Sequence, residues 1–336
     1  MRQFRCSWLL LIAYSFVFAG FAAAADWAVY KGKGKPAPRK HIVFLTGDEE
    51  YRSEESGPML AKILAERHGF DCTVLFAINP GEGTIDPTIL NSIPGIEALN
   101  SADLCVLFLR FREWPDAQMK HFVDYLNSGR PIIGLRTATH AFLYQNKQSP
   151  YAKFSYDSIE WPGGFGQQVL GETWVDHHGK HGAESTRGIP HEPFREYSIL
   201  KGVTDLWGPT DVYTVSHLGS DARILMWGQV LAGMKPTDPK LEGKKNDPMM
   251  PLVWTREYTG EKGKTSRIFT TTMGAAVDFE NAGLRRLFVN ACYWALGLEK
   301  EISAHSNVDP VGEYKPSYFG YGRFKKGVSP KDLELH

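Results

Sequence analysis

The sequence predicts an α/β protein with a parallel central sheet, and three observations support this prediction. Four short apolar runs between residues 41 and 135 have the composition of buried strands. Segments with apolar residues at helical spacing separate the first run from the second and the third run from the fourth. Strands and helices that alternate in this way form right-handed βαβ units, which give a parallel sheet.

The four predicted strands are rich in β-branched and aromatic residues, and they cover residues 41–46, 72–76, 104–109 and 131–135. Ser53 or Ser56 is expected to cap the first helix, and Gly69 to end it. Pro115 opens the second helix, since proline is favoured at a first helical position. In such a sheet, ligands bind beyond the carboxyl ends of the strands.

The second half of the chain is less regular. Residues 144–190 are rich in Gly, Pro, His and aromatic residues, which predicts long loops over the sheet with some short strands. Further strands are predicted at residues 211–215, 224–230, 252–258 and 267–272, and a helix at residues 284–296. The predicted organisation is a signal peptide at 1–25, a linker at 26–39, one domain at 40–298 and a tail at 299–336.

The first 25 residues have the layout of a secretory signal peptide. Arg2 and Arg5 precede an apolar run, and small residues before Asp26 offer a cleavage site near Ala25. The run is shorter than the roughly 20 residues that span a bilayer, so a retained anchor is the lesser alternative. We therefore expect an exported protein, periplasmic or secreted.

Charge and cysteine content exclude several classes of protein. The chain has 38 Lys+Arg and 38 Asp+Glu, and cleavage removes two arginines but no acid, so the net charge becomes about −2. Neither nucleic acid nor, once the signal is removed, a membrane surface is an expected partner. Cys72, Cys105 and Cys292 lie in apolar segments, and their odd number excludes a fully paired disulfide framework. We expect buried free thiols.

Six segments together resemble the ThuA-like (trehalose utilisation) family over most of residues 40–300. They are GDEEYRSEE, PIIGLRTATHAF, GETWVDHHGKHG, PTDVY, MPLVWTREY and RIFTTTMGA. The resemblance implies a flavodoxin-like sheet with helices on both faces, related to class I glutamine amidotransferases, with long loop insertions. It also implies a link to the use of trehalose and related disaccharides, in which sugars are oxidised to 3-keto forms.

The turn after the fourth strand is the first candidate site. The strand ends in Gly134-Leu135 and turns at once into a predicted helix, which is the layout of a nucleophile elbow. The resemblance aligns Arg136 with the amidotransferase cysteine, and a guanidinium is no nucleophile, so glutamine hydrolysis by a thiolate is excluded. Arg136 and Thr137 are candidates for substrate binding, and His140 for catalysis. The alternative for Arg136 is an ion pair with an acid such as Glu49 or Glu50.

The segment GDEEYRSEE follows the first strand and opens onto the same edge of the sheet. Carboxylates that share a cleft can divide acid and base roles, so Glu50 is a catalytic candidate. Glu49 and Arg52 are candidates for substrate binding. Residues 53–55 have the alternative role of capping and charging the first helical turn.

Three histidines lie close together in the segment WVDHHGKHG. His177 and His178 are candidates for catalysis because imidazoles act as bases near neutral pH. On a strand these two side chains point to opposite faces, so we assign a metal-ligand role to His177 and His181 instead, with zinc as the expected divalent ion. The alternative is a solvated loop with incidental histidines. His191 lies in a segment that resembles the region in which amidotransferases carry their catalytic histidine.

Several aromatic residues in the loop region could hold a sugar ring, and Trp174 is the candidate that we assign to substrate binding. The first functional hypothesis is an exported enzyme that acts on a disaccharide or its 3-keto derivative by acid/base chemistry next to a carbonyl. The second is a non-catalytic sugar-binding module on the same fold. A scaffold partner of an exported dehydrogenase is a third. A small-molecule sugar is the expected partner. The sequence is also compatible with a homo-oligomer.

Overall fold

The computed structural model describes residues 26–34 and 39–335, so the predicted signal peptide lies outside the described residues. These residues form twelve strands and three α-helices, joined by short turns and loops. The strands are β1 (Trp27–Tyr30), β2 (His41–Gly47), β3 (Asp71–Leu75), β4 (Ile78–Asn79), β5 (Thr84–Ile85), β6 (Leu104–Leu109), β7 (Ile132–Leu135), β8 (Ser185–Pro190), β9 (Trp207–Gly208), β10 (Arg223–Leu231), β11 (Met250–Thr259) and β12 (Thr265–Thr271). The helices are α1 (Ser53–His68), α2 (Asp116–Leu126) and α3 (Ala282–Ala295).

Ten of these strands form one sheet in the order β1-β3-β2-β6-β7-β12-β11-β10-β8-β9. The five strands from β3 to β12 in this order are parallel, and all the other pairs are antiparallel. Numbered along the chain, the parallel strands lie in the order 2-1-3-4-5, which is the flavodoxin-like order. The predicted fold class is confirmed. The strand order reverses between β2 and β6, and ligands of such sheets bind at this switch point.

The sheet has an apolar core on each face. Ile42 and Phe44 of β2 pack in one core with α1 and α3, whereas Val43 and Leu45 pack in the other core with α2. This alternation follows from the period of two along a strand. Each fully buried apolar side chain stabilises the fold by roughly 1.5–3 kcal/mol. The carboxyl ends of the parallel strands are therefore a rigid platform for the loops that follow them.

The three cysteines of the described residues are buried and free, as the sequence predicts. They lie in or next to apolar packing and not at the carboxyl edge of the sheet: Cys72 is in β3, Cys105 in β6 and Cys292 in α3. Burial raises the pKa of each of these thiols above its ordinary value. None of them is therefore suited to act as a thiolate nucleophile.

Four local predictions are wrong. The segment predicted as a linker contains β1, which pairs with β3 at the edge of the sheet. Residues 211–215 are not a strand; Tyr213 forms only an isolated bridge with His177. The helix expected after β7 is a five-residue 3-10 turn, Arg136–His140. No side chain caps α1, because Ser53 Oγ instead accepts a hydrogen bond from the Gly47 N–H at 3.0 Å.

The C-terminal tail packs along α1 and ends beside β1. Ile302, Val308 and Phe319 are buried within the core that includes α1, and the Tyr30 hydroxyl donates to the Leu333 carbonyl at 2.8 Å. This contact joins the two ends of the described chain. No helix within the described residues is long and apolar enough to cross a membrane.

Candidate functional site

Arg136 occupies the turn after β7 and is fully buried. Its φ of 41° lies in the left-handed region, which is strained for a residue with a side chain. The guanidinium lies between the rings of Tyr51 and Tyr213, with its carbon 4.1 and 4.3 Å from the ring centroids. It donates to Asp211 Oδ1 at 3.1 Å and to the Thr272 carbonyl at 2.8 Å. Two aromatic faces and a carboxylate thus compensate the buried charge.

This placement corrects two expectations for Arg136. The ion-pair partner is Asp211 and not Glu49 or Glu50. The guanidinium also has no exposed surface, so it does not contact a substrate directly in this arrangement. We assign it the role of holding Asp211.

Asp211 is the centre of the site. Its side chain has no exposed surface, and both of its oxygens accept hydrogen bonds from imidazoles. His177 Nδ1 lies 2.6 Å from Oδ2, and His181 Nδ1 lies 3.0 Å from Oδ1. Burial alone would raise the pKa of Asp211, but the two imidazole hydrogen bonds and the Arg136 charge hold this pKa well below its ordinary value. Asp211 is therefore ionised and can only accept hydrogen bonds.

The ionised carboxylate fixes the state of the two histidines. Each Nδ1 carries the proton that it donates to Asp211, so Nε2 is the nitrogen of each ring that can gain or lose a proton. His181 Nε2 faces Glu50 Oε1 at 3.4 Å. The hydrogen bond to Asp211 raises the pKa of His181 above its ordinary value, in spite of partial burial. The side chains of His177 and His181 are 30% and 35% exposed, so a solute can reach both.

His178 does not belong to this cluster. Its N–H donates to the Val212 carbonyl, and its Nε2 lies 2.9 Å from the Lys245 carbonyl, away from Asp211. His177 and His178 thus have separate partners, as the sequence predicts, and the contacts of His178 do not support the catalytic role predicted for it. Adjacent extended residues direct their side chains to opposite sides, which explains both outcomes.

Asp48 and Thr137 join the loop after β2 to the turn after β7. The Thr137 hydroxyl donates to Asp48 Oδ2, and Asp48 Oδ1 accepts from the N–H groups of Glu50 and Tyr51 at 2.7 and 2.6 Å. Because its hydroxyl is used in this way, Thr137 positions the loop that carries Glu50, and its hydroxyl proton is not free for the predicted contact with a substrate.

Glu49 and Arg52 are also used within the protein. Glu49 pairs with Arg110 and with Arg112, the second at 2.7 Å. Burial raises the pKa of Glu49 above its ordinary value, although both arginines oppose the shift. Arg52 is fully buried and donates to the carbonyls of Glu49 and Gly320. Neither residue offers a free group to a substrate, so their predicted binding role is not supported by their contacts.

His140 and Trp174 form the aromatic side of the site. The His140 ring is buried and lies 5.4 Å from the Trp174 ring and 6.3 Å from the Tyr213 ring, measured between centroids. Burial and the charges of Arg110 and Arg136 hold the pKa of His140 well below its ordinary value, so it is neutral. Trp174 is half-buried and also contacts His177, with 5.9 Å between the ring centroids. Trp174 therefore lies where the sequence predicts it, beside the catalytic candidates.

Three groups of the site were missed by sequence reasoning. Asp211 stands in the quoted segment PTDVY, but nothing in the sequence pairs it with histidines about 30 positions earlier. Arg110 follows β6 at the switch point and contacts Glu49 and the Tyr321 hydroxyl, the second at 2.6 Å. The tail supplies Phe319, whose ring centroid is 5.2 Å from that of His181. The Gly320 N–H donates to the Glu50 carbonyl at 2.8 Å, which anchors the tail over the site.

His191 lies outside the site. Its Nδ1 is 3.0 Å from the Ile224 carbonyl, and its ring contacts Phe194 and Trp227 on the antiparallel half of the sheet. The likeness to a catalytic amidotransferase histidine therefore finds no support in its surroundings.

One set of residues has ligand atoms close enough to hold a metal ion. Within the described ranges, His177, His181 and Asp211 each offer one ligand atom, and these atoms lie within 4.8 Å of one another. Two imidazoles and one carboxylate are a common donor set for divalent transition metals. The metal ligands predicted from the sequence, His177 and His181, are both members of this set.

The fold and the site define a flavodoxin-like α/β protein with a buried Arg–Asp–His cluster at the carboxyl edge of its sheet. Among solved structures, the chain is similar to a protein from Parabacteroides merdae described as ThuA-like, with a TM-score of 0.50 and 16% identity over 89% of this chain and 100% of that one. A second ThuA-like protein, from Bacteroides uniformis, has a TM-score of 0.45 and 15% identity over 78% and 94% of the two chains. No family model and no curated protein sequence matches. The chain thus has the ThuA-like fold, as its motifs predict.

Proposed function

We propose that this protein is an enzyme that acts on a disaccharide, or on its 3-keto derivative, by proton transfer next to a carbonyl group. The observation that carries the proposal is the sharing of one buried carboxylate by two partly exposed imidazoles. A binding surface has little need of titratable groups held so closely, whereas acid/base chemistry requires them. The likeness to ThuA-like structures supports a sugar as the substrate class.

The roles follow from the geometry of the cluster. His177 Nε2 takes the proton from the carbon next to the ketone, and the C–H electrons form the double bond of an enolate. His181, whose second nitrogen faces Glu50, offers positive charge to the enolate oxygen. Because Arg136 is buried, the contact with substrate that the sequence predicts for Arg136 passes to His181.

The enolate can react in two ways, and each of them accounts for its electrons. If the deprotonated carbon carries a hydroxyl, transfer of the hydroxyl proton to the enolate oxygen and return of a proton to the former carbonyl carbon move the ketone to the neighbouring carbon, which gives an isomer. Alternatively, the enolate electrons re-form the ketone and a carbon–carbon double bond while the glycosidic carbon–oxygen bond at the β position breaks. The departing oxygen takes a proton from the His181–Glu50 pair.

A non-catalytic sugar-binding module on the same fold is the second candidate. It is favoured by the use of Arg136, Glu49 and Arg52 in internal pairs, which leaves few charged groups free for a substrate. Half-buried Trp174 and exposed Tyr321 would then provide the ring contacts.

The deciding experiment is NMR of the protein with a panel of disaccharides and their 3-keto forms. We expect new product resonances with a 3-keto substrate, loss of turnover in His177→Gln, and retained turnover in the control His178→Gln. Both variants should unfold at the temperature of the wild type, because neither side chain is fully buried. Binding without product across the panel would favour the binding module, and equal turnover in His177→Gln would remove the cluster from the reaction.

We also propose that the chain is exported after cleavage near Ala25. Mass spectrometry of the protein from its native host should then give an N-terminus at Asp26, and a mass that includes residues 1–25 would contradict this. Light scattering of the same sample gives the oligomeric state, which the sequence leaves open.

A further inference from the structure

The cluster at Asp211 has the features of a metal site as well as those of an acid/base site. His177 Nδ1 and His181 Nδ1 approach the two oxygens of one carboxylate at 2.6 and 3.0 Å. Two ligands that occupy neighbouring positions of an octahedral ion, with bonds of about 2.1 Å, are about 3.0 Å apart. The two distances are thus close to this spacing, and the three ligand atoms, which lie within 4.8 Å of one another, would need to move closer together to surround an ion.

We propose that His177, His181 and Asp211 bind one divalent transition-metal ion through the two Nδ1 atoms and a carboxylate oxygen. Metal binding displaces the two Nδ1 protons to solvent, because a nitrogen cannot hold both. Two imidazoles and one carboxylate suit Zn²⁺, Mn²⁺, Fe²⁺ or Co²⁺ better than Ca²⁺ or Mg²⁺, which prefer oxygen ligands.

The surroundings provide the outer contacts that such ligands usually have. A metal-bound histidine commonly donates its other ring N–H to a carboxylate, and His181 Nε2 lies 3.4 Å from Glu50 Oε1. Arg136 donates to Asp211 Oδ1 at 3.1 Å and so fixes the orientation of that ligand.

Access to the cluster indicates an open site. Asp211 is fully buried, but the side chains of His177 and His181 are about one-third exposed. Three protein ligands leave coordination positions for water or a solute, which is typical of catalytic ions and not of structural ones. With an ion bound, the imidazoles act as ligands and the ion polarises the carbonyl, so the proton transfer proposed above falls to Glu50. Only this last step rests on the proposed function.

The test measures metal binding in the absence of sugar. The purified protein is stripped with a chelator and titrated with Co²⁺, and the visible absorption of the bound ion and its stoichiometry are recorded. We expect one equivalent per chain, at least a tenfold loss of affinity in His177→Ala and in His181→Ala, and a loss of about 10- to 100-fold in Glu50→Gln.

Two matched histidine variants serve as controls. His178→Ala removes the neighbouring imidazole that points away, and His217→Ala removes an imidazole that pairs with Glu172 at 2.6 Å but has no second histidine. Both should bind Co²⁺ as the wild type does, and circular dichroism should show that all the variants are folded.

Absence of stoichiometric binding in the wild type, or unchanged binding in both His177→Ala and His181→Ala, would overturn the proposal. A protein that binds the ion but converts no sugar would retain this inference and lose the proposed function. Turnover by a protein that binds no ion would retain the proposed function and overturn this inference.

Discussion

Two buried carboxylates in this protein each pair with an imidazole at 2.6 Å, yet only one of them lies in the candidate site. Asp211 receives hydrogen bonds from His177, His181 and Arg136, all of them side chains. Glu172 receives one from His217 Nδ1 and three from backbone N–H groups. Those backbone donors belong to Thr173 at 2.9 Å, Ser216 at 2.5 Å and His217 at 2.7 Å.

The difference lies in what the donors do besides making the hydrogen bond. Backbone N–H groups have no other chemistry, so Glu172 holds two loop segments together. Two imidazoles share Asp211, and each keeps an Nε2 that is available for protons, whereas a single imidazole contacts Glu172. Asp211 also lies beside the turn after β7, where parallel sheets bind ligands. The shared imidazoles at this edge of the sheet are therefore the feature by which the proposed acid/base cluster differs from the loop contact at Glu172.

Removing the charge of each carboxylate should test this contrast, and the largest effect is expected at Asp211. Asp211→Asn leaves the buried Arg136 guanidinium without a counter-charge, which costs about 3–5 kcal/mol. Glu172→Gln keeps an acceptor for most of its neutral donors and should cost about 1–3 kcal/mol. The free energy of unfolding in urea measures both. Equal losses would mean that the Arg136–Asp211 pair contributes no more than the loop contact does.

A comparison of His181, which contacts Asp211, with His217, which contacts Glu172, should test whether the two carboxylates differ in their importance for turnover. We expect His181→Asn to lower kcat by about 10²–10⁴-fold on the substrate found by NMR, because the charged group that faces the enolate is lost. His217→Asn should leave kcat within about threefold of the wild type, since its imidazole lies on Glu172. Steady-state kinetics at saturating substrate provide the measurement, and a similar loss in both variants would count against a special role for the Asp211 cluster.

The sequence predicts the parallel half of the fold well because its strands are buried on both faces. The prediction for residues 104–109 matches β6 at both ends, since an uninterrupted apolar run has no competing pattern. The antiparallel strands β10, β11 and β12 were found with boundaries that differ by one or two residues. Residues 27–30 were missed because an edge strand of four residues carries little periodic signal.

The site was predicted only in part, for a different physical reason. His177, His181 and Glu50 stand out locally, since titratable residues are clustered there in the sequence. The partner of Arg136 could not be found in this way, because Asp211 is 75 positions away and is brought near by the tertiary fold. The same holds for Phe319, which reaches His181 only because the tail returns across α1. Long-range pairing of side chains depends on topology, and a single sequence does not contain it directly.

Glu54 extends the comparison to a buried carboxylate without donors. It lies in the first turn of α1 with 8% of its surface exposed, and neither oxygen accepts a hydrogen bond. The nearest guanidinium nitrogen, on Arg52, is 3.8 Å away. Burial raises the pKa of Glu54 from 4.5 to about 8, which is the opposite of the effect that donors have on Asp211.

This raised pKa gives a stability that depends on pH with a defined sign. The folded state binds the Glu54 proton more tightly than the unfolded chain does, so between pH 4.5 and about 8 folding takes up a proton. The free energy of unfolding therefore falls as the pH rises through that window. Glu54→Gln cannot ionise and should escape this fall, so it should exceed the wild type in stability by about 2–4 kcal/mol at pH 8.5 and match it near pH 4.5.

Urea unfolding at several pH values measures this difference, with the exposed Glu160→Gln as the control for loss of a surface carboxylate. If the free energy of unfolding of the wild type differs from that of Glu54→Gln by the same amount at every pH, Glu54 titrates alike in the folded and unfolded states. Burial without donors would then not be sufficient to keep a carboxyl protonated here. A gap that opens only at high pH would instead establish that burial without donors keeps Glu54 protonated in the folded state, in contrast to the donor-rich Asp211.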